Sequence, residues 1–146
     1  MSRIDVLRPF IEKHLAALLG SDKVEADAEG EYTFPHGSAE ITLRLLDDPL
    51  PMLQLSAVLV SKPKKKAGLL EALNTVNGAE LALRVFKYED LIIAAWEVPA
   101  DTLDERQFHD VCVRFAELAD RLDTELAKRF GGKTARRDED EEAVDA

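Results

Sequence analysis

The sequence predicts an α+β domain. One antiparallel sheet, built from a strand meander and a C-terminal hairpin, is expected to pack with N-terminal, middle and long C-terminal helices, in the order α-ββββ-α-ββ-α. Three observations carry this expectation. Near both ends of the chain, apolar residues recur at three- and four-residue spacing, as on one helix face. Between those ends they alternate with polar residues, as on strands with one wet side. The changes of pattern fall at Gly, Pro, Asn-Gly and Asp-rich breaks. With 146 residues, 46% of them hydrophobic and 33% charged, the chain suffices for one ordinary core. We expect one domain over residues 1–132 and a disordered, charged tail over 133–146.

The first helix is marked by Ile4, Leu7, Ile11, Leu15 and Leu18, with Gly20 placed to stop it. Ser2 and Asp5 resemble a capping box. Pro9 either kinks this helix or lies in its first turn, the helix then starting near Arg8. Val24, Ala26 and Ala28 alternate with acids and read as a first strand, followed by a turn at Glu29-Gly30. Tyr32 and Phe34 mark a second strand, and Gly37-Ser38 a second turn. Ile41, Leu43 and Leu45 alternate with Glu40, Thr42 and Arg44 in a third. After the break Asp47-Asp48-Pro49-Leu50-Pro51, a fourth strand puts Leu53, Leu55, Ala57 and Leu59 on one side. Met52, Gln54, Ser56, Val58 and Val60 fall on the other.

A short helix carrying Leu69, Leu70, Leu73 and Val76 follows and ends at Asn77-Gly78. A hairpin then pairs Leu81–Tyr88 with Leu91–Val98 across the two-residue turn Glu89-Asp90. This register sets Val85 opposite Ala94 and Leu83 opposite Trp96 on one side. Phe86 faces Ile93 and Tyr88 faces Leu91 on the other, so both faces are apolar near the turn. The last helix shows Phe108, Val111, Cys112, Phe115, Ala119, Leu122 and Leu126 on one face, with Thr102 and Glu105 as a capping box and Gly131-Gly132 as its stop. About 28 residues give about 42 Å, long enough for the end around Leu126 and Phe130 to project or to meet a second copy.

Charge and cysteine usage narrow the function. Net charge is −10, and the tail's three basic and six acidic residues leave −7 on the body. Such a surface repels nucleic-acid phosphates and anionic lipid, so neither is expected as a partner. No apolar run approaches the ~20 residues of a membrane span. Arg3, Asp5 and Arg8 charge the start and no apolar leader pattern follows. The single cysteine, Cys112, excludes an internal disulfide and a cysteine-based zinc site. The expected location is the cytoplasm.

Nothing in the pattern assembles catalytic, cofactor-binding or metal-binding groups. His14, His36 and His109 lack metal-ligand spacing, and surface or capping roles account for them. Cys112 lies in the apolar stripe between Phe108 and Phe115, where a thiol is inert. Gly30, Gly37 and Gly78 are isolated turn glycines, not a phosphate loop. The acids Asp138 to Glu142 lack the glycine and alternating ligands of a calcium loop. Two features remain as candidate binding surfaces. One is apolar: Phe86, Tyr88, Leu91 and Ile93, with Leu126 and Phe130, as a peptide groove or dimer seam. The other is basic: Lys62, Lys64, Lys65 and Lys66, unfavourable at the start of the short helix, read as a solvated loop or as a dock for an acidic segment such as the chain's own tail.

The order helix, meander, short helix, hairpin, long helix, with Leu69-Leu70-Glu71-Ala72-Leu73-Asn74-Thr75-Val76-Asn77 at its centre, resembles the YbjN-like proteins and the type III secretion chaperones that share their fold. The likeness covers about Ile4 to Phe130, and its L-N-x-x-N pattern is carried by Leu73, Asn74 and Asn77. It implies a non-enzymatic domain that binds peptide segments on its sheet and helix surface, often as a dimer. It also implies structural roles for Asn74 and Asn77 at the helix-to-strand junction. The basic loop and charged tail depart from dedicated secretion chaperones. The expected function is therefore a chaperone or adaptor holding a client polypeptide. The alternatives are an acidic immunity-type inhibitor of a basic toxin, or a dimeric regulatory domain.

Overall fold

A computed structural model of the chain describes residues 3–136. Its elements run α1 (Arg3–Leu19), β1 (Glu31–His36), β2 (Ala39–Leu46), β3 (Met52–Ser61), α2 (Leu69–Ala79), β4 (Arg84–Tyr88), β5 (Leu91–Pro99) and α3 (Glu105–Phe130). The five strands form one antiparallel sheet in the order β1-β2-β3-β5-β4. The α+β class and the three helices are as expected, but the sheet has five strands where the alternation predicted six. Residues 24–28 form no strand. Val24 and Ala26 rest against the core. Asp27 instead folds a turn onto β1: its N–H donates to the Glu31 carbonyl, and its Oδ1 accepts the Glu29 and Glu31 N–H groups. An aspartate side chain thereby occupies the place where a neighbouring strand would pair.

All three helices cover one face of the sheet. The stripe Phe108, Cys112, Phe115, Ala119, Leu122 and Leu126 of α3 is buried in one continuous core with Ile41, Leu43, Leu53, Leu55, Ile92 and Ala94. Ile11 and Leu15 of α1 and Leu69, Ala72 and Leu73 of α2 complete it. Pro9 lies inside α1, which runs on through it from Arg3. The residue that caps α3 is Asp104, not Thr102. Its carboxylate accepts from Gln107 N at 2.8 Å while Gln107 Oε1 accepts from Asp104 N at 3.2 Å. This box lies two residues later than expected, because glutamine replaces glutamate as its reciprocal partner.

One irregularity changes which side chains face the helices. The β3–β5 register shifts between Val58 and Val60: Val58 pairs with Ile93, but Val60 pairs with Ile92. A bulge at Leu59 thus turns Val60 into the core, with both residues fully buried. Strict alternation had placed Val60 on the other face.

Each outer edge of the sheet is met by a side chain. At β1 it is Asp27. At β4 it is Asn77, whose Nδ2 donates to the Val85 carbonyl at 2.9 Å and whose Oδ1 accepts Val85 N–H at 2.7 Å. Asn77 so performs the junction role implied by the family likeness, whereas Asn74 is exposed on α2. Replacing Asn77 with Ala removes both bonds, and urea unfolding should show a loss of about 1–3 kcal/mol. Asn77→Asp, which keeps only the acceptor, should fall between the two.

Candidate functional site

Among the described residues, no helix covers the face of the sheet turned away from α1, α2 and α3. Its residues are set by parity: Gln54, Ser56 and Val58 on β3, Leu91, Ile93, Ala95 and Glu97 on β5, and Arg84, Phe86 and Tyr88 on β4. Cross-strand pairing puts Val58, Ile93 and Phe86 in one row, with Leu91 and Tyr88 in the adjacent row. Val58 is 38% exposed, Phe86 37% and Tyr88 58%. Strands lie ~4.8 Å apart, so the row spans about 10 Å of apolar surface. A polar border closes it on one side: Arg84 binds Glu97 at 2.6 Å, Gln54 reaches the same carboxylate at 3.3 Å, and the Arg84 guanidinium sits 5.5 Å from the Phe86 ring centroid.

The fold thus brings Phe86, Tyr88, Leu91 and Ile93 together on one open face. Val58 belongs with them, and local sequence had no means of showing it, since β3 and β5 are joined only through 29 intervening residues. Leu126 and Phe130 do not join this face. They are 5% and 2% exposed, packed into the chain's own core on the helix side. The end of α3 does not project, because the loop after β3 folds over it. Lys64 N and Lys65 N both donate to the Phe130 carbonyl, at 2.9 and 2.8 Å. Lys133 and Ser61 then exchange two backbone bonds. Gly132, at φ 95°, passes so close that a Cβ would stand 2.6 Å from the Ser61 carbonyl oxygen. Of the disordered tail expected over 133–146, residues 133–136 are instead bonded to the domain, and residues 137–146 lie outside the described residues.

This loop gives Lys62, Lys64, Lys65 and Lys66 a local role. Their charges are unfavourable at the start of α2, but the backbone of Lys64 and Lys65 caps the last turn of α3, and Lys62 N donates to the Asp90 carbonyl. Lys66 also lies 3.9 Å from Asp90.

Among the described residues, the remaining chemistry-bearing side chains do not converge on one centre. Burial pushes the Cys112 thiol up to about 12, so almost none is thiolate at neutral pH. His14 stacks edge-on against Phe10, with centroids 4.4 Å apart, and its Nδ1 lies 3.9 Å from Glu105. His14 and His109 share a shallow cavity of about 200 Å³ with Glu105 and Phe108, and His36 is elsewhere, on β1. Among the described residues, Asp27, Glu29 and Glu31 form an acidic group compact enough for a cation. Asp27 Oδ1 already accepts two backbone N–H groups there.

Comparison with known proteins now bears on this arrangement. A family model described as T3SS (YopN, CesT) and YbjN peptide-binding chaperone 1 matches residues 5–138. The chain belongs to this family. Solved structures share its fold. In the ExsC-ExsE complex the similar chain has a TM-score of 0.64 at 21% identity, covering 84% of this chain and 96% of that one. YbjN from E. coli, described as a putative transcription regulator, gives 0.59 at 17%, covering 88% and 93%. The Yersinia pestis type III secretion chaperone SycH, in complex with a stable fragment of YscM2, gives 0.56 at 11%, covering 75% and 93%. No curated protein matches the chain in sequence. The membership is in a non-enzymatic, chaperone family, as the lack of convergent polar groups in the sequence suggested. No helix among the described residues is long and apolar enough to cross a membrane.

The Cys112 environment has a direct readout. A disulfide reagent such as DTNB at pH 8 should leave the folded chain essentially unmodified and react fully once urea unfolds it. Fast reaction without denaturant would contradict the burial.

Proposed function

We propose that this chain is a peptide-holding chaperone or adaptor whose client lies in extended form across the open face of the sheet, over Val58, Ile93 and Phe86. The observation that carries the reading is the helix-free face itself, with an apolar row at its centre and the Arg84–Glu97–Gln54 border beside it. Membership of a peptide-binding chaperone family supports it, as do structural relatives solved as complexes with protein partners.

An extended client sends alternate side chains to the same side. Two or three apolar residues at that spacing would meet Phe86, Ile93 and Val58 in turn. Each one buried contributes about 1.5–3 kcal/mol, and ordering the segment and losing free rotation offset much of this. The balance favours a complex that forms and releases, as holding a client requires. The body's acidic charge would favour clients with basic residues between their apolar anchors, and would speed their encounter. The cytoplasm is the compartment consistent with this role.

A homodimer seamed at the same hairpin is the second reading, favoured by the exposure of Phe86 and Tyr88 on its open face.

Binding of an array of 15-residue peptides with alternating apolar positions, followed by anisotropy titration of those that bind, tests the proposal. Val58→Asp and Phe86→Asp should each weaken the bound peptides about tenfold or more, measured at a temperature where circular dichroism shows each variant folded, because the two side chains are only 38% and 37% exposed. Unchanged affinity in both variants would sink the open face as the client site. A mass of two chains by light scattering, returning to one in the same variants, would instead assign the face to the dimer.

A further inference from the structure

The tip of the β1–β2 hairpin is clasped to the middle of α3 almost entirely through oxygen atoms. Ser38 Oγ lies 2.7 and 2.9 Å from the two carboxyl oxygens of Asp123, 3.0 Å from Asp120 Oδ1 and 3.4 Å from Thr124 Oγ1. Ser38 N–H donates to Asp120 Oδ1 at 2.9 Å. The Thr124 hydroxyl is 3.0 Å from Asp123 Oδ1 and 3.2 Å from the Asp120 carbonyl.

Counting protons shows that something more is needed. A serine hydroxyl owns one hydrogen and offers it to one acceptor at a time. With both carboxyls ionised, the approaches from Ser38 Oγ to Asp123 and to Asp120 could not both contain a hydrogen. One would be a bare contact between lone pairs, and two negative charges would meet across one hydroxyl, one of them on Asp123, which is 0% exposed. Nor does a cation relieve the charge. The charged or titratable side chains on the elements meeting here are His36 and Glu40 on the hairpin, Glu117, Asp120 and Arg121 on α3, and Lys133 and Arg136 on the C-terminal segment. Among the described residues no basic group forms an ion pair with Asp120 or Asp123, and Arg121 is engaged by Glu80 and Glu125. Burial pushes the Asp123 carboxyl above the ordinary aspartate range, and the charge of Asp120 adds to this against the hydrogen bonds from Ser38 and Thr124.

We infer that Asp123 carries a proton in the folded chain and donates it to Ser38 Oγ, whose own hydrogen goes on to Asp120, so that the hairpin is held to α3 by a pH-sensitive clasp. Each of the two carboxyls is then joined to Ser38 Oγ by one hydrogen, and the site bears one negative charge rather than two. The clasp reaches further than the hairpin, because the Ser38 carbonyl accepts from Arg136 N at 3.0 Å and so anchors the C-terminal segment.

The sign follows from the direction of the shift. A carboxyl held above its unfolded value contributes stability that is complete below the ordinary aspartate range. That contribution is lost as pH rises through the raised folded value. Rising pH should therefore loosen the hairpin tip and residues 133–136 together, whether or not a client is bound.

Carbon-detected NMR titration of the aspartate carboxyls in the full chain is the test, together with amide exchange at Ser38 and Arg136 corrected for intrinsic rates. Asp123 should titrate above the ordinary aspartate range. Protection of both amides should fall across that same midpoint, about tenfold for each unit by which it is raised. In Asp123→Asn the amide donates where the acid proton did, and the pH dependence at both amides should disappear. The inference is overturned if Asp123 titrates in the ordinary range, if protection does not follow its midpoint, or if a folded Asp123→Asn chain keeps the dependence. Should that variant not fold, the titration of the unaltered chain decides alone.

Discussion

The burial of one stripe of α3 against one face of the sheet governs most of this molecule. Phe108, Cys112, Phe115, Ala119, Leu122 and Leu126 form a single apolar band on that helix. Because strand side chains alternate, covering one face decides for every strand which residues are inside. Ile41, Leu43, Leu53, Leu55, Ile92 and Ala94 go beneath the helices, and Ser56, Val58, Ile93, Ala95 and Phe86 go to the opposite side. The helices α1 and α2 lie on the same side as α3 and extend that cover rather than creating a second layer. The bare face is thus a geometric consequence of an asymmetric architecture, and its apolar row does not arise from any shortage of helix.

What could be read in advance was what local pattern controls. The α3 stripe was visible from its spacing, and the β4–β5 register followed from a two-residue turn at Glu89-Asp90, where Glu89 adopts φ 53°. That register alone placed Phe86 opposite Ile93 and Tyr88 opposite Leu91. The pairing of Val58 with Ile93 was hidden because it joins strands separated by a helix and another strand. The inward turn of Val60 was hidden too, since a bulge is one extra residue that alternation cannot announce. The acids and small apolar residues of 24–28 alternate like a strand, but Asp27 satisfies the β1 edge locally and no ladder forms. Lys62 to Lys66 looked misplaced only when judged against the helix that follows them in sequence. In space the backbone of Lys64 and Lys65 closes the end of α3, and proximity of that kind is set by tertiary contacts alone.

The same asymmetry orders the two ends of the protein's working range. The core side is buried, with Leu126 and Phe130 drawn into it by a loop that supplies backbone donors to the last carbonyl of α3. The open side is shallow and bordered by paired charges, which suits segments that come and go. Between them, at the hairpin tip, the carboxyl cluster joins strand, helix and C-terminal segment at one point. The open face and the carboxyl cluster are at different places in the fold, so each can vary without rebuilding the other.

A protein with a bare greasy sheet runs the risk of growing into filaments, because copies can add strand to strand without limit. Asp27 and Asn77 stand at the two borders where such growth would begin, each plugging both the donor and the acceptor of one residue. With its margins blunted in this way, the molecule can remain sticky broadside while resisting the endless edge-on stacking that turns soluble chains into amyloid.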